Sequence, residues 1–122
     1  MKTLLLVFAG GGLGSVMRYC VERGISVFYT HAFPLATFTT NIVACFALGL
    51  FVGMADHKQL LSPSSRLFWT VGFCGGFSTF STFSYETLSL LQSNQLISVL
   101  YALASIVVCG GAVVAGLYVG KL

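Results

Sequence analysis

Charged residues divide the chain into long uncharged stretches. No Lys, Arg, Asp or Glu lies within residues 24–55, 67–85 or 87–120. A fourth, mostly apolar stretch covers residues 3–20. A helix needs about 20 mostly apolar residues to cross a hydrocarbon core of roughly 30 Å. Each stretch is therefore long enough to hold one transmembrane helix.

The pattern predicts four membrane spans joined by short polar connections. We place them at about residues 3–22, 33–55, 67–91 and 96–120. Four spans leave no room for a soluble domain in a chain of 122 residues. We therefore predict an all-α membrane protein that consists of a single four-helix transmembrane domain, residues 1–122.

Composition excludes several classes of protein. The chain is 57% hydrophobic and 7% charged, whereas soluble domains contain about 25% charged residues. The six basic residues are scattered and form no stripe, which argues against binding to nucleic acid. His31 and His57 lie at span ends or in loops, with no nucleophile or acid to accompany them, so we expect no enzymatic activity.

Basic residues are nearly balanced between the two sides of the predicted membrane domain. An even number of spans puts both termini on one side. That side carries Lys2, Lys58, Arg66 and Lys121, and the other carries Arg18 and Arg23. The positive-inside rule therefore favours cytoplasmic termini only slightly.

Small residues occur at the spacing that allows close helix packing in lipid. Glycine pairs four residues apart are Gly10 with Gly14, Gly49 with Gly53, and Gly116 with Gly120. We interpret them as packing positions. The four cysteines, one in each span, form no CxxC motif and are also interpreted as packing residues.

Polar residues recur every fourth position in two spans. The second span carries the row Thr37, Asn41, Cys45, Gly49 and Gly53, and the fourth carries Tyr101, Ser105 and Cys109. An amide facing lipid would lose its hydrogen-bond partners, so Asn41 must face protein or water. Two interpretations are open: an interhelical hydrogen bond without a transport role, or a polar group on a transport path.

The third span contains the run GFCGGFSTFSTFSYE, residues 72–86. Gly75 and Gly76 weaken a helix there, and hydroxyl residues follow almost at once. We expect a broken helix, whose free carbonyls require protein, water or an ion at that depth; the alternative is a kinked helix. The stripe of Phe77, Phe80 and Phe83 fits packing or an anion path, because aromatic rings have positive edges.

Two ionisable residues, Arg18 and Glu86, lie within or at the rim of spans. Such residues are functional candidates by default. Glu86 is about 20 residues beyond Arg66, roughly 30 Å along a helix. Glu86 therefore falls near the opposite membrane interface. Contact with water there is a second explanation for the presence of a carboxylate in this span.

Taken together, GGGLGSVMRY in the first span, ATFTTN in the second and GFCGGFSTFSTFSYE in the third resemble the CrcB/Fluc fluoride channels. The resemblance extends over the whole chain. It implies an antiparallel dual-topology homodimer in the bacterial inner membrane, with two pores through which fluoride leaves the cytoplasm passively. The expected partners are thus fluoride, the lipid bilayer and a second copy of the chain.

Motif by motif, the resemblance assigns roles to particular residues. It implies fluoride pore residues at Asn41, Phe80, Ser81, Thr82, Phe83, Tyr101 and Ser105. It implies a structural Na⁺ at the dimer centre, held by the carbonyls of Gly75 and Ser78, and it matches Arg18 and Glu86 to the family's charged positions. The main departure is in the fourth span, where Cys109 and Val113 replace the Ser or Thr that members often carry.

Two other functions fit a small protein with four spans. A proton-coupled exporter of lipophilic cations would need a carboxylate in the middle of its first span, but that span has only Glu22, beyond Arg18. A structural membrane subunit would need no polar path at all. Transport by the protein alone in liposomes separates these possibilities.

Overall fold

The structure, a computed structural model, describes residues 1–122, and its only regular elements are helices. Its helices are α1 (Lys2–Phe28), α2 (Leu35–Gly53), α3 (Pro63 to Phe77), α4 (Phe80–Ser93) and α5 (Gln95–Lys121). A π-helical turn, Met54–Lys58, extends α2, and α3 joins Pro63–Arg66, a π-helical stretch Leu67–Cys74, and Gly75–Phe77.

Three helices are long and apolar enough to cross a membrane: α1, α5, and α2 with its π-helical turn. The third predicted span is divided between α3 and α4. The membrane character and the all-α class expected from the sequence are confirmed.

The helix ends follow local capping chemistry. The Ser62 side chain accepts a hydrogen bond from the Ser65 amide at the start of α3, where Pro63 stands at the first helical position. Asn94, the single residue between α4 and α5, accepts from the Ile97 amide at 3.2 Å. Both arrangements satisfy amides that a helix start leaves unpaired.

Three expected boundaries differ from the structure. The third predicted span begins at Pro63 rather than near residue 67, because Ser62 and Pro63 already start the helix. The first helix continues to Phe28, beyond the predicted end near Glu22, because its backbone hydrogen bonds run on through Gly24, and the last of them is donated by the Tyr29 amide to the Ile25 carbonyl. The polar turn expected at residues 92–95 contracts to Asn94 alone, since one extended residue that also caps α5 is enough to reverse the chain.

Close backbone contacts hold the helices in pairs. α2 runs alongside α5, and a Cβ added at Gly49 would collide with the Val113 carbonyl. α1 packs on α3 in the same manner, with Gly14 against the Phe73 carbonyl. The packing role predicted for the glycine pairs is therefore confirmed.

Candidate functional site

The backbone is extended for two residues in the middle of the third predicted span. α3 ends at Phe77, Ser78 and Thr79 have ψ values of 160° and 113°, and α4 begins at Phe80. The Thr79 hydroxyl accepts a hydrogen bond from the Thr82 amide at 3.2 Å and so caps α4. The Ser78 hydroxyl donates back to the Cys74 carbonyl at 2.9 Å.

Asn41 of α2 is bonded to this extended segment. Its Oδ1 accepts from the Thr79 amide at 2.8 Å, and its Nδ2 donates to the Thr79 carbonyl at 3.3 Å. Thr79 lies between two helices, so its amide and carbonyl have no partner within a helix, and the Asn41 side chain supplies both hydrogen bonds. One Nδ2 hydrogen stays outside this pair of bonds.

Because the backbone is extended at Ser78 and Thr79, two backbone carbonyls lose the amide donors that a continuous helix would give them. In a continuous helix the Thr79 and Thr82 amides would donate to residues four positions earlier, which are Gly75 and Ser78. Instead they donate to the side chains of Asn41 and Thr79. Gly75 is also exposed, and no neighbouring helix comes within 4 Å of the place that a Cβ would occupy there.

Arg18 of α1 lies against the end of α3. Its Nε donates to the Gly76 carbonyl at 3.1 Å, and the Ser15 hydroxyl approaches the same oxygen at 3.5 Å. A cation is favourable here because the C-terminal end of a helix carries partial negative charge. Arg18 also lies 3.6 Å from the Glu22 carboxylate.

A cavity of about 290 Å³ lies beside the extended segment, between α2, α4 and α5. Its lining residues are Asn41, Cys45, Ser78, Thr79, Phe80, Phe83, Ser105, Ile106 and Cys109. The two polar rows predicted from the sequence therefore meet at this cavity. Cys45 and Cys109 belong to those rows and were interpreted as packing residues, and both line the cavity, one helical turn from Asn41 and Ser105.

Two phenylalanines form the aromatic part of the lining. The ring centroids of Phe80 and Phe83 are 5.7 Å apart with planes at 41°, and Phe83 lies 5.1 Å from the Tyr101 ring. Phe80 is 77% exposed in the single chain. Phe77, the third member of the predicted stripe, is instead buried and stacks on Phe73.

Ser105 supplies a hydroxyl that has no hydrogen-bond partner. The residue is only 7% exposed, and its Oγ is buried and unpaired at the wall of the cavity. Burying an unpaired hydroxyl is unfavourable, so this group is the clearest sign that the cavity accommodates something polar.

Glu86 joins three helices. Its carboxylate accepts a hydrogen bond from the Thr37 hydroxyl at 3.0 Å and another from the Tyr101 hydroxyl at 2.9 Å. Thr37 and Tyr101 are both buried. The carboxylate is thus hydrogen-bonded within the protein, and it is also partly exposed.

The remaining predicted pore residues lie next to the cavity and are not part of its lining. Ser81 is exposed, and its Oγ is 3.4 Å from the Thr79 hydroxyl. Thr82 participates through its amide. Tyr101 meets the site through its ring contact with Phe83, while its hydroxyl is bonded to Glu86.

Comparison with known proteins gives a consistent result. The family described as "CrcB-like protein, Camphor Resistance (CrcB)" matches residues 5–117. A protein named Fluoride-specific ion channel FluC from Flavobacterium psychrophilum is 44% identical over 122 residues, 99% of this chain and 98% of its own length.

Proteins of the same name in other bacteria match nearly as well. The one from Azobacteroides pseudotrichonymphae is 41% identical over 95% of this chain and 94% of its own length. The one from Gloeothece citriformis is 39% identical over 99% of this chain and 98% of its own length. The resemblance found in the sequence motifs is confirmed: this multi-pass membrane protein belongs to the CrcB family.

Proposed function

We propose that this protein is a fluoride channel that lets fluoride leave the cytoplasm passively through the cavity between α2, α4 and α5. The observation that carries the proposal is the unpaired Ser105 hydroxyl in that cavity, in a chain whose relatives over their full length are named fluoride channels. A hydroxyl that donates to no protein atom is free to donate to an anion.

The lining suits a small anion that must give up its water. A bare anion in a low-dielectric interior is penalised by many kcal/mol, so conduction requires partial replacements along the path. Here the replacements are the Ser105 hydroxyl, the second Nδ2 hydrogen of Asn41, and the positive ring edges of Phe80 and Phe83. No Lys or Arg lines the cavity, which favours release as well as entry.

Glu86 and Tyr101 have a supporting role in this proposal. The carboxylate holds the hydroxyls of Thr37 and Tyr101, which fixes the Tyr101 ring against Phe83. Ser81 and Thr82 would extend the hydroxyl path from the cavity along α4. Arg18, bonded to Gly76, stabilises the end of α3.

We propose further that two chains associate as an antiparallel, dual-topology homodimer with two pores. Phe80, at 77% exposed, and the open Gly75 lie on a surface that the single chain leaves uncovered. Backbone carbonyls without donors are tolerated at membrane depth only when protein, water or an ion covers them. A second copy supplies that cover, and the near balance of basic residues is compatible with insertion in both directions.

A sodium ion at the dimer centre fits the same residues. The carbonyls of Gly75 and Ser78 lack the amide donors of a continuous helix, because these are bonded to Asn41 and Thr79. Carbonyl oxygens are hard ligands that suit an alkali cation. One such cation, bound by two carbonyls from each chain, would link the two chains. The nearest carboxylate along the helix, Glu86, is instead bonded to Thr37 and Tyr101.

Fluoride efflux from liposomes that contain only this protein tests the proposal. We expect rapid efflux of fluoride and no comparable efflux of chloride at equal gradients. Protein-free liposomes give the leak rate. Leak-rate efflux of fluoride from liposomes that contain folded protein would contradict the channel; proton-driven uptake of a lipophilic cation would identify the exporter, and absence of both activities would favour a structural subunit.

A further inference from the structure

Two cysteines form the end of the proposed pore cavity. Cys45 on α2 and Cys109 on α5 both line it and are half-buried. The two side chains belong to neighbouring helices, α2 and α5, and contribute to the same cavity. Neither forms a disulfide.

The packing of α2 on α5 explains why these thiols meet. Gly49 contacts Val113, and Gly53 contacts Leu117, so the two helices run parallel with a constant offset between facing positions. Cys45 and Cys109 are each four residues earlier than Gly49 and Val113, and therefore face each other one turn away. Beyond them the backbones are in contact, which closes the cavity on that side.

We propose that Cys45 and Cys109 together bind one soft divalent cation of the mercuric type, and that this cation blocks the cavity. Soft metal ions prefer thiolate ligands, and Hg²⁺ is satisfied by two sulfurs in a linear arrangement. Two S–H bonds break, two Hg–S bonds form, and two protons pass to water. The bis-thiolate complex is neutral, which suits a low-dielectric site; the same complex with a monovalent soft cation would carry one negative charge.

A cation that requires more ligands is a poorer match. No group of three or more His, Cys, Asp or Glu side chains is assembled anywhere in the chain. Tetrahedral zinc sites normally take four protein ligands, or three and a water. The pair thus favours ions with two-coordinate chemistry.

The binding test measures how much mercury stays on the protein while a small monothiol competes for it. The protein is loaded with one equivalent of Hg²⁺ per chain in detergent, and bound mercury is measured as the monothiol is increased. Joining two ligands in one site raises apparent affinity by about 100-fold or more. We therefore expect Cys45→Ser and Cys109→Ser each to release mercury at monothiol concentrations about 100-fold lower than wild type.

Cys20→Ser is the matched control, because Cys20 is exposed on α1 and outside the cavity. It should retain mercury as wild type does, and the intact mass of the loaded chain should show one mercury gained and two protons lost. Cys45→Ala and Cys109→Ala provide second variants if a serine prevents folding. Equal retention in wild type and both cavity variants, or loss of retention in Cys20→Ser, would overturn the site.

Blockage of the cavity by mercury rests on the proposed function and is tested separately, by measuring fluoride efflux. One equivalent of Hg²⁺ should abolish fluoride efflux by wild type and Cys20→Ser, with at least tenfold less inhibition of Cys45→Ser and Cys109→Ser. Full efflux by the mercury-loaded wild type would overturn the block. A protein that conducts no fluoride even without mercury would contradict the channel, and the retention measurement would still decide the metal site.

Discussion

The Ser105 hydroxyl is buried without a partner, so its removal affects folding and transport differently. Hydrogen bonds to charged groups contribute about 1.5–3 kcal/mol, and each 1.4 kcal/mol is about a factor of ten. We predict that Ser105→Ala lowers fluoride flux about tenfold or more and leaves thermal stability unchanged or raised. Flux per protein chain is measured in liposomes, and stability by thermal unfolding in detergent.

Ser98 is the control in the same helix. It is also buried, but its hydroxyl donates to the Thr87 carbonyl at 2.7 Å. Ser98→Ala should therefore cost about 1 kcal/mol of folding free energy and leave flux per folded chain near wild type. Unchanged flux in Ser105→Ala would show that this hydroxyl does not contact the ion.

The four-residue rows in the sequence predicted that Asn41 and Ser105 would each lie on a polar face, since 3.6 residues per turn keeps such positions on neighbouring parts of one helix surface. The two residues line one cavity. The sequence could not predict that Asn41 bonds both the amide and the carbonyl of Thr79. That arrangement depends on how α2 meets a segment 38 residues away along the chain.

At the scale of helices, contact between α2 and α5 depends on residues without side chains. A Cβ at Gly49 would meet the Val113 carbonyl, which has no rotamer to adopt and cannot move without displacing α5. Forcing extra volume into a packed contact costs typically about 1–3 kcal/mol. We predict that Gly49→Ala lowers the free energy of unfolding by about 1–3 kcal/mol or more, measured by thermal unfolding.

Gly111→Ala is the matched control. Gly111 also lies in a helix of this pair, α5, but no neighbouring atom lies within 4 Å of its Cβ position. Alanine favours a helix over glycine by up to about 1 kcal/mol, so this variant should be as stable as wild type or more so. Equal loss of stability in both variants would mean that close α2–α5 contact is not the cause.

Sequence patterning predicted the helices better than it predicted their ends. Three uncharged stretches and one mostly apolar stretch indicated where the helices lie, and three of these helices are long and apolar enough to cross a membrane. Gly75 and Gly76 lie in the last part of α3, just before the extended residues Ser78 and Thr79. The end of α1 at Phe28 was missed because hydropathy reports what a membrane tolerates, whereas a helix ends where its hydrogen bonds end. The π-helical stretch Leu67–Cys74 has no signal in a single sequence.

At the scale of the whole molecule, the proposed antiparallel dimer requires chains inserted in both directions. We predict that Lys121, or a tag added at the C-terminus, is labelled from both sides of the membrane in cells. The labelled fraction is measured with a reagent that cannot cross the membrane, first in intact cells and then after the membrane is permeabilised. A single orientation throughout would contradict the dual topology, and a protein of known fixed orientation provides the control.

The proposed sodium ion should stabilise that dimer by linkage. A ligand at about 100 times its Kd adds about 2.7 kcal/mol to the state that binds it. We predict that dimer stability and fluoride flux both rise when sodium is returned to protein purified with a bulky organic cation. Sodium content is measured in the starting sample, and indifference of both quantities in sodium-depleted protein would contradict the metal site.

Fluoride efflux from liposomes with Phe80→Ile and Phe83→Ile tests whether fluoride passes along the cavity lined by Phe80 and Phe83. Isoleucine keeps an apolar side chain but removes the ring quadrupole. Phe8→Ile is the control, because Phe8 is 80% exposed, as Phe80 is at 77%, yet lies on α1 outside the cavity. We predict at least a tenfold loss of flux in both cavity variants, with the proposed dimer still formed and with unchanged flux in Phe8→Ile. Wild-type flux in both cavity variants would show that the two rings only pack and do not contact the ion.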